Sequence, residues 1–95
     1  MDKAYDWDKE KNQKLKKERG ISFEAIVANL EAGRLIAVIQ GQGKFKHQKQ
    51  LVVSVNQYIY IVPCVEDGGR VFLKTIIPSR KMTKRYLLGG EENEA

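Results

Sequence analysis

Ninety-five residues with 42% hydrophobic content support one core and exclude wholesale disorder. Nothing apolar approaches the ~18–20 residues of a bilayer span, the charged opening from Met1 to Lys17 lacks a secretory signal's apolar stretch, and the single cysteine, Cys64, has no internal disulfide partner; a soluble, cytoplasmic protein is expected. The formal charge of +5 hides a more basic body, because Glu91, Glu92 and Glu94 follow Gly89 and Gly90, and residues 1–90 carry 17 cations against nine acids, or +8; polyanions or an acidic protein partner are favoured.

Asp8 is placed to cap a helix over Lys9–Arg19, and Gly20 to supply its left-handed exit. Leu15 is the only aliphatic residue of that helix, so Trp7 and Leu15 should pin it while Lys9, Lys11, Lys14, Lys16, Lys17 and Arg19 face solvent or a ligand. A merely solvated face is the simpler reading. In the next helix Ser22 is the N-cap, and Phe23, Ile26, Val27 and Leu30 recur at i, i+3, i+4 and i+7 before Gly33 ends the run. That stripe belongs to the core.

From Arg34 the period changes to two. Strands are predicted over 34–40, 50–56, 57–66 and 70–77. A flexible basic connection occupies 41–49, a tight turn lies near Asn56 and Gln57, and the glycines of 66–69 turn the chain again. Pro63 inside the third strand predicts an edge position or a bulge. Ser79 then caps a short helix running to about Leu87. The expected architecture is α+β, with two N-terminal helices on a four-stranded antiparallel sheet and a short C-terminal helix. One domain covers 1–88, followed by a flexible acidic tail over 89–95.

Chemistry follows from which residue types are scarce. His47 and Cys64 are too few for a zinc site, and "GQGK" (41–44) falls short of a phosphate-binding loop. Cys64, mid-strand, reads as a small buried hydrophobe. No metal and no cofactor is expected. What remains is cation-driven phosphodiester chemistry, in which a base deprotonates the 2′-hydroxyl, cations stabilise the phosphorane and an acid protonates the 5′-oxygen. Suitable residues gather in "KFKHQK" (44–49) and "SRKMTKRY" (79–86). Arg80 and Lys81 would stabilise the phosphate, His47 or Lys49 would handle protons, and Tyr86 would stack or donate. Lys74, Lys84, Arg85, Tyr58 and Tyr60 are the candidate RNA contacts, the tyrosines sharing one side of their strand. Ordinary cross-strand packing is the simpler account of those tyrosines.

The order of "WDKEKN", "RGISFE", strands and "IIPSRKMTKRY" resembles the BrnT-type toxins of bacterial type II toxin–antitoxin pairs. The matching positions are Trp7, Asp8, Lys11, Asn12, Gly20, Ser22, Phe23, Glu24, Arg80, Lys81 and Thr83. The residue before the helix-entry glycine is often histidine in that family and is Arg19 here; an arginine of the last strand is replaced by Thr75. The resemblance implies a RelE-like fold, an endoribonuclease that cleaves RNA and blocks translation, and neutralisation by a cognate antitoxin. It also implies that operator DNA is bound only through the toxin–antitoxin complex. A non-catalytic domain of the same fold, binding nucleic acid or a partner through its basic surface, is the alternative.

Overall fold

The computed structural model describes residues 4–87, so the tail expected over 89–95 lies outside the described residues. Two helices form where their caps predict them. The Asp8 carboxylate accepts from the amides of Glu10 and Lys11 to start α1 (Lys9–Arg19), and Gly20 leaves it at φ 67°. The Ser22 hydroxyl accepts from Ala25 N–H at the head of α2 (Phe23–Glu31).

Around them run β1 (Ala4–Trp7), β2 (Leu35–Gln40), β3 (Gln48–Val55), β4 (Tyr58–Asp67), β5 (Arg70–Leu73) and β6 (Ile77–Pro78), followed by α3 (Arg80–Tyr86). The sheet order is β1-β5-β4-β3-β2, with β6 paired to β4. β1 is parallel to β5 and the other pairings are antiparallel. The molecule is therefore α+β as expected, but its sheet is mixed and six-stranded. The four-stranded antiparallel meander lacked β1, and it merged β5 and β6 into one strand over 70–77.

Pro63 explains that break. It lies in a central strand, opposite Gln50 of β3, contrary to the expected edge. Its carbonyl accepts from Lys74 N–H at 2.8 Å, so its ring nitrogen also faces the β5–β6 side. There the regular ladder is interrupted over 74–76, and the missing N–H meets no strand that needs it.

α1 and α2 cover one face. Leu15, Ile21, Phe23 and Ile26 pack with Leu51, Val53, Val62, Cys64, Val71 and Leu73, and Trp7 stacks on Phe23 with ring centroids 5.7 Å apart. Strand alternation sends Val52 and Ile59 to the other face, where both are fully buried. α3 packs on β4 and closes that end. Its Ser79 hydroxyl accepts from Met82 N–H, and buried Thr83 accepts from Ile59 N–H at 2.9 Å. No helix among the described residues is long and apolar enough to cross a membrane.

Candidate nucleic-acid interface

The sequence places cations in two clusters, and the fold separates them. His47 is an exposed residue in the turn before β3, at the end of the β3–β4 hairpin where Gln48 pairs with Val65. The first turn of α3, with exposed Arg80 and Lys81, sits at the opposite end, where Ser79 N–H bonds to Ile59 carbonyl. Ile59 pairs with Ser54, so the two ends are separated by the run of β3 from Gln48 to Ser54, on the order of 20 Å at about 3.3 Å per residue. One phosphate cannot bridge that distance.

Lys49 is held elsewhere. Its ammonium donates to Glu66 Oε1 at 2.8 Å. That hydrogen bond, reinforced by the opposite charge, raises the lysine above its ordinary pKa. A lysine held protonated cannot serve as the base at neutral pH. The candidate aromatic platform is also divided. Tyr58 and Tyr60 contact each other at 5.4 Å between ring centroids, and Tyr60 packs against the helix-side core. Exposed Phe72 pairs with Val65, whose side chain alternates to the other face. Lys74 is exposed just beyond β5, and Lys84, Arg85 and Tyr86 lie on the exposed last turn of α3.

Most residues carrying the family resemblance turn out to build the fold. Trp7 stacks on Phe23, Asp8 and Ser22 cap their helices, and Gly20 is left-handed. Asn12 is buried, accepts from Phe23 N–H at 2.8 Å and donates to Glu24 Oε1 at 2.8 Å. The Asn12 hydrogen bond, and next the glutamate's own backbone amide, hold the Glu24 carboxyl below its ordinary range. Thr83 and Ser79 fasten α3 to β4. Lys11, exposed, has no such structural duty in this framework.

Lys11 leads to a site the charge clusters did not reveal. Lys11, Lys14, Leu15, Glu18 and Arg19 of α1 line a concavity of about 220 Å³ with Thr75. Their spacing of i, i+3, i+4, i+7 and i+8 puts them on one side of the helix. Leu15, anchored in the core, turns that side toward the segment joining β5 and β6. Arg19 Nη1 donates to Ile76 carbonyl at 3.0 Å, which holds one end of the guanidinium and orients the rest. The fold thus places Arg19 and Thr75 in one cleft. Three cations and one carboxylate in a cleft can bind a phosphate and place a proton acceptor near it. The signal for this site was the helical spacing of Lys11, Lys14 and Glu18 about Leu15. It is hidden when the helix is read only for its apolar residues.

Among the described residues no group of three or more histidine, cysteine or acidic side chains is arranged to hold a metal ion. Compared with known protein families, with curated proteins and with solved structures, the chain matches none.

Proposed function

We propose that the protein is the toxin component of a toxin–antitoxin pair, a metal-independent endoribonuclease resembling the BrnT type, and that it grips RNA phosphate in the α1 cleft. The observation that carries this reading is the convergence of Lys11, Lys14 and Arg19 on one concavity with Thr75. Arg19, oriented by Ile76, is suited to the charge that develops on the phosphorane. Glu18 is the carboxylate lining the cleft; it takes the 2′-hydroxyl proton as that oxygen bonds to phosphorus, and the ammonium of Lys11 or Lys14 gives a proton to the 5′-oxygen whose bond to phosphorus breaks. His47 and Lys49 have no part in this arrangement.

The test is incubation of the purified protein with labelled single-stranded RNA in EDTA, beside Arg19→Ala and Lys11→Ala. Cleavage by the parent chain, reduced about 10–1000-fold in Arg19→Ala as when a transition-state charge partner is lost, is the expected result. Equal cleavage by parent and variants would remove the cleft from the reaction.

A second reading, RNA binding without cleavage, is favoured by the separation of His47 from the α3 cations. It expects the RNA to be retained intact, equally well as its 2′-deoxy counterpart. Lys11→Ala would then weaken retention of both.

A further inference from the structure

β2 ends the sheet, and its composition is unusual for an edge. Natural edges are shortened, charged or covered, because their unpaired amides and carbonyls recruit other strands. The opposite edge follows that rule: β1 has four residues, and its Asp6 bonds to Arg70 Nη1 at 3.2 Å. β2 carries no charge from Leu35 to Gln40. Leu35, Ile36, Val38 and Ile39 are 41%, 38%, 47% and 40% exposed. Gly41 N–H bonds to Gln48 carbonyl on the β3 side, so by alternation the N–H and C=O groups of Val38 and Gln40 point outward.

Hollows flank this edge on both faces of the sheet. On the helix face, Leu30, Leu35, Val38, Leu51, Cys64 and Val71 line one of about 160 Å³, with the Lys49–Glu66 pair at its border. On the other face, a wider one of about 500 Å³ includes Ile39, Gln50 and Pro63. An added strand sends alternate side chains to the two faces; here the helix-face hollow offers apolar walls, while the other sets Ile39 and Pro63 among the side chains of Gln40, Gln42, Gln48 and Gln50.

Charge decides what the occupant is. From Ala32 to Gln48 the chain holds three cations, Arg34, Lys44 and Lys46, and no acid, while Lys49 is already paired with Glu66. Two copies of this chain joined β2 to β2 would pair antiparallel by symmetry. Arg34 of one copy would then lie beside the segment carrying Lys44 and Lys46 of the other, a like-charge meeting at both ends. A strand with acids at its ends meets opposite charge instead. We propose that β2 is a docking edge for an extended segment of a partner protein, apolar at alternate positions and flanked by acidic residues, which extends the sheet by one strand. This goes beyond the action on RNA and does not depend on it.

The probe is a short labelled peptide in which valine alternates with threonine between glutamates at both ends. Its control carries lysines at the ends, and both are titrated by anisotropy without RNA. We expect the acid-ended peptide to bind about tenfold or more tightly than the control and to slow amide exchange at Val38 and Gln40. Val38→Pro removes an outward N–H that no internal ladder uses, which an edge strand tolerates, and Val38→Lys restores the protective charge of ordinary edges. Both variants should abolish binding while keeping the parent's unfolding transition. Indifference to either variant, equal binding of the two peptides, or no binding of either overturns the proposal. So does a concentration-dependent dimer of the parent chain that Val38→Lys dissolves, since the occupant is then a second copy. The RNA cleavage assay is read separately, so failure here leaves the cleft reading standing.

Discussion

Asn12 is 3% exposed, and its amide oxygen and amide nitrogen are both occupied, by Phe23 N–H and Glu24 Oε1. An asparagine on a lysine-rich helix would ordinarily be one more surface residue. Here it satisfies an amide at the start of α2 that has no partner within its own helix. Asn12→Ala leaves that buried N–H without its acceptor and should cost about 1–3 kcal/mol in denaturant unfolding. The same change acts on acid stability through Glu24, whose depressed pKa comes chiefly from the Asn12 hydrogen bond. As pH falls the unfolded chain takes up this proton before the folded one, so the contribution is present above the ordinary glutamate range. It is lost as pH falls through the folded value. Asn12→Ala should therefore flatten the stability slope below the ordinary glutamate range as well as lower the plateau, and an unchanged slope would disconnect Glu24 from Asn12.

At the scale of elements, propensity and capping located all three helices, while side-chain burial within them was less predictable. Ile26 is fully enclosed, but Val27 and Leu30 of the same stripe are only half-buried. The region beside Leu30 is the helix-face hollow next to β2, so α2 does not cover the sheet to its edge. The β3–β4 hairpin shows the opposite case, a turn placed correctly by sequence yet strained. Asn56 and Gln57 take φ of 52° and 65°, a left-handed pair that two-residue hairpins favour but that glutamine adopts at a cost. Gln57→Gly relieves that strain while adding freedom to the unfolded chain. We expect a net gain of about 0.5–1 kcal/mol, measured as a higher thermal midpoint. A loss would show that the Gln57 side chain contributes more than its backbone strain takes away. α3 carries Arg80 and Lys81 in its first turn, where cations oppose the helix dipole; its fastening by Ser79 and Thr83 is enough to hold it.

For the whole molecule the two proposals rest on separate surfaces. The α1 cleft lies where α1 meets the segment joining β5 and β6, and β2 lies at the far end of the strand order from β1 and β5. RNA binding through the cleft should respond to salt according to the cations it uses. For single-stranded RNA, Lys11→Ala should lower the slope of log affinity against log salt by about 0.7, the share of one phosphate contact. Arg80→Ala, tested in parallel, should leave the slope near that of the parent. The reverse result would move the phosphate site to α3 and restore the basic cluster of 79–86 as the interface.

Read alone, the sequence determined the caps, the helix boundaries, the hairpin turn and the buried half of the α2 stripe, Phe23 and Ile26, since each depends on neighbours a few residues away. Asp8 with Gly20 and Ser22 with Ile26 are signals of that range, and they held. The sequence did not disclose β1, because Ala4–Trp7 is a strand only through parallel pairing with β5, some 64 positions later in the Asp6–Arg70 contact. Nor did it disclose the gap opposite Pro63, which exists because a central strand's missing donor must face an interrupted ladder. Site chemistry divides in the same way. Residue types identified a cation-rich chain suited to phosphate, but only the tertiary structure parted His47 from Arg80 and brought Lys11, Lys14 and Arg19 beside Thr75. Proximity across a sheet is set by strand order and register, and those are decided by the packing of distant segments rather than by local sequence.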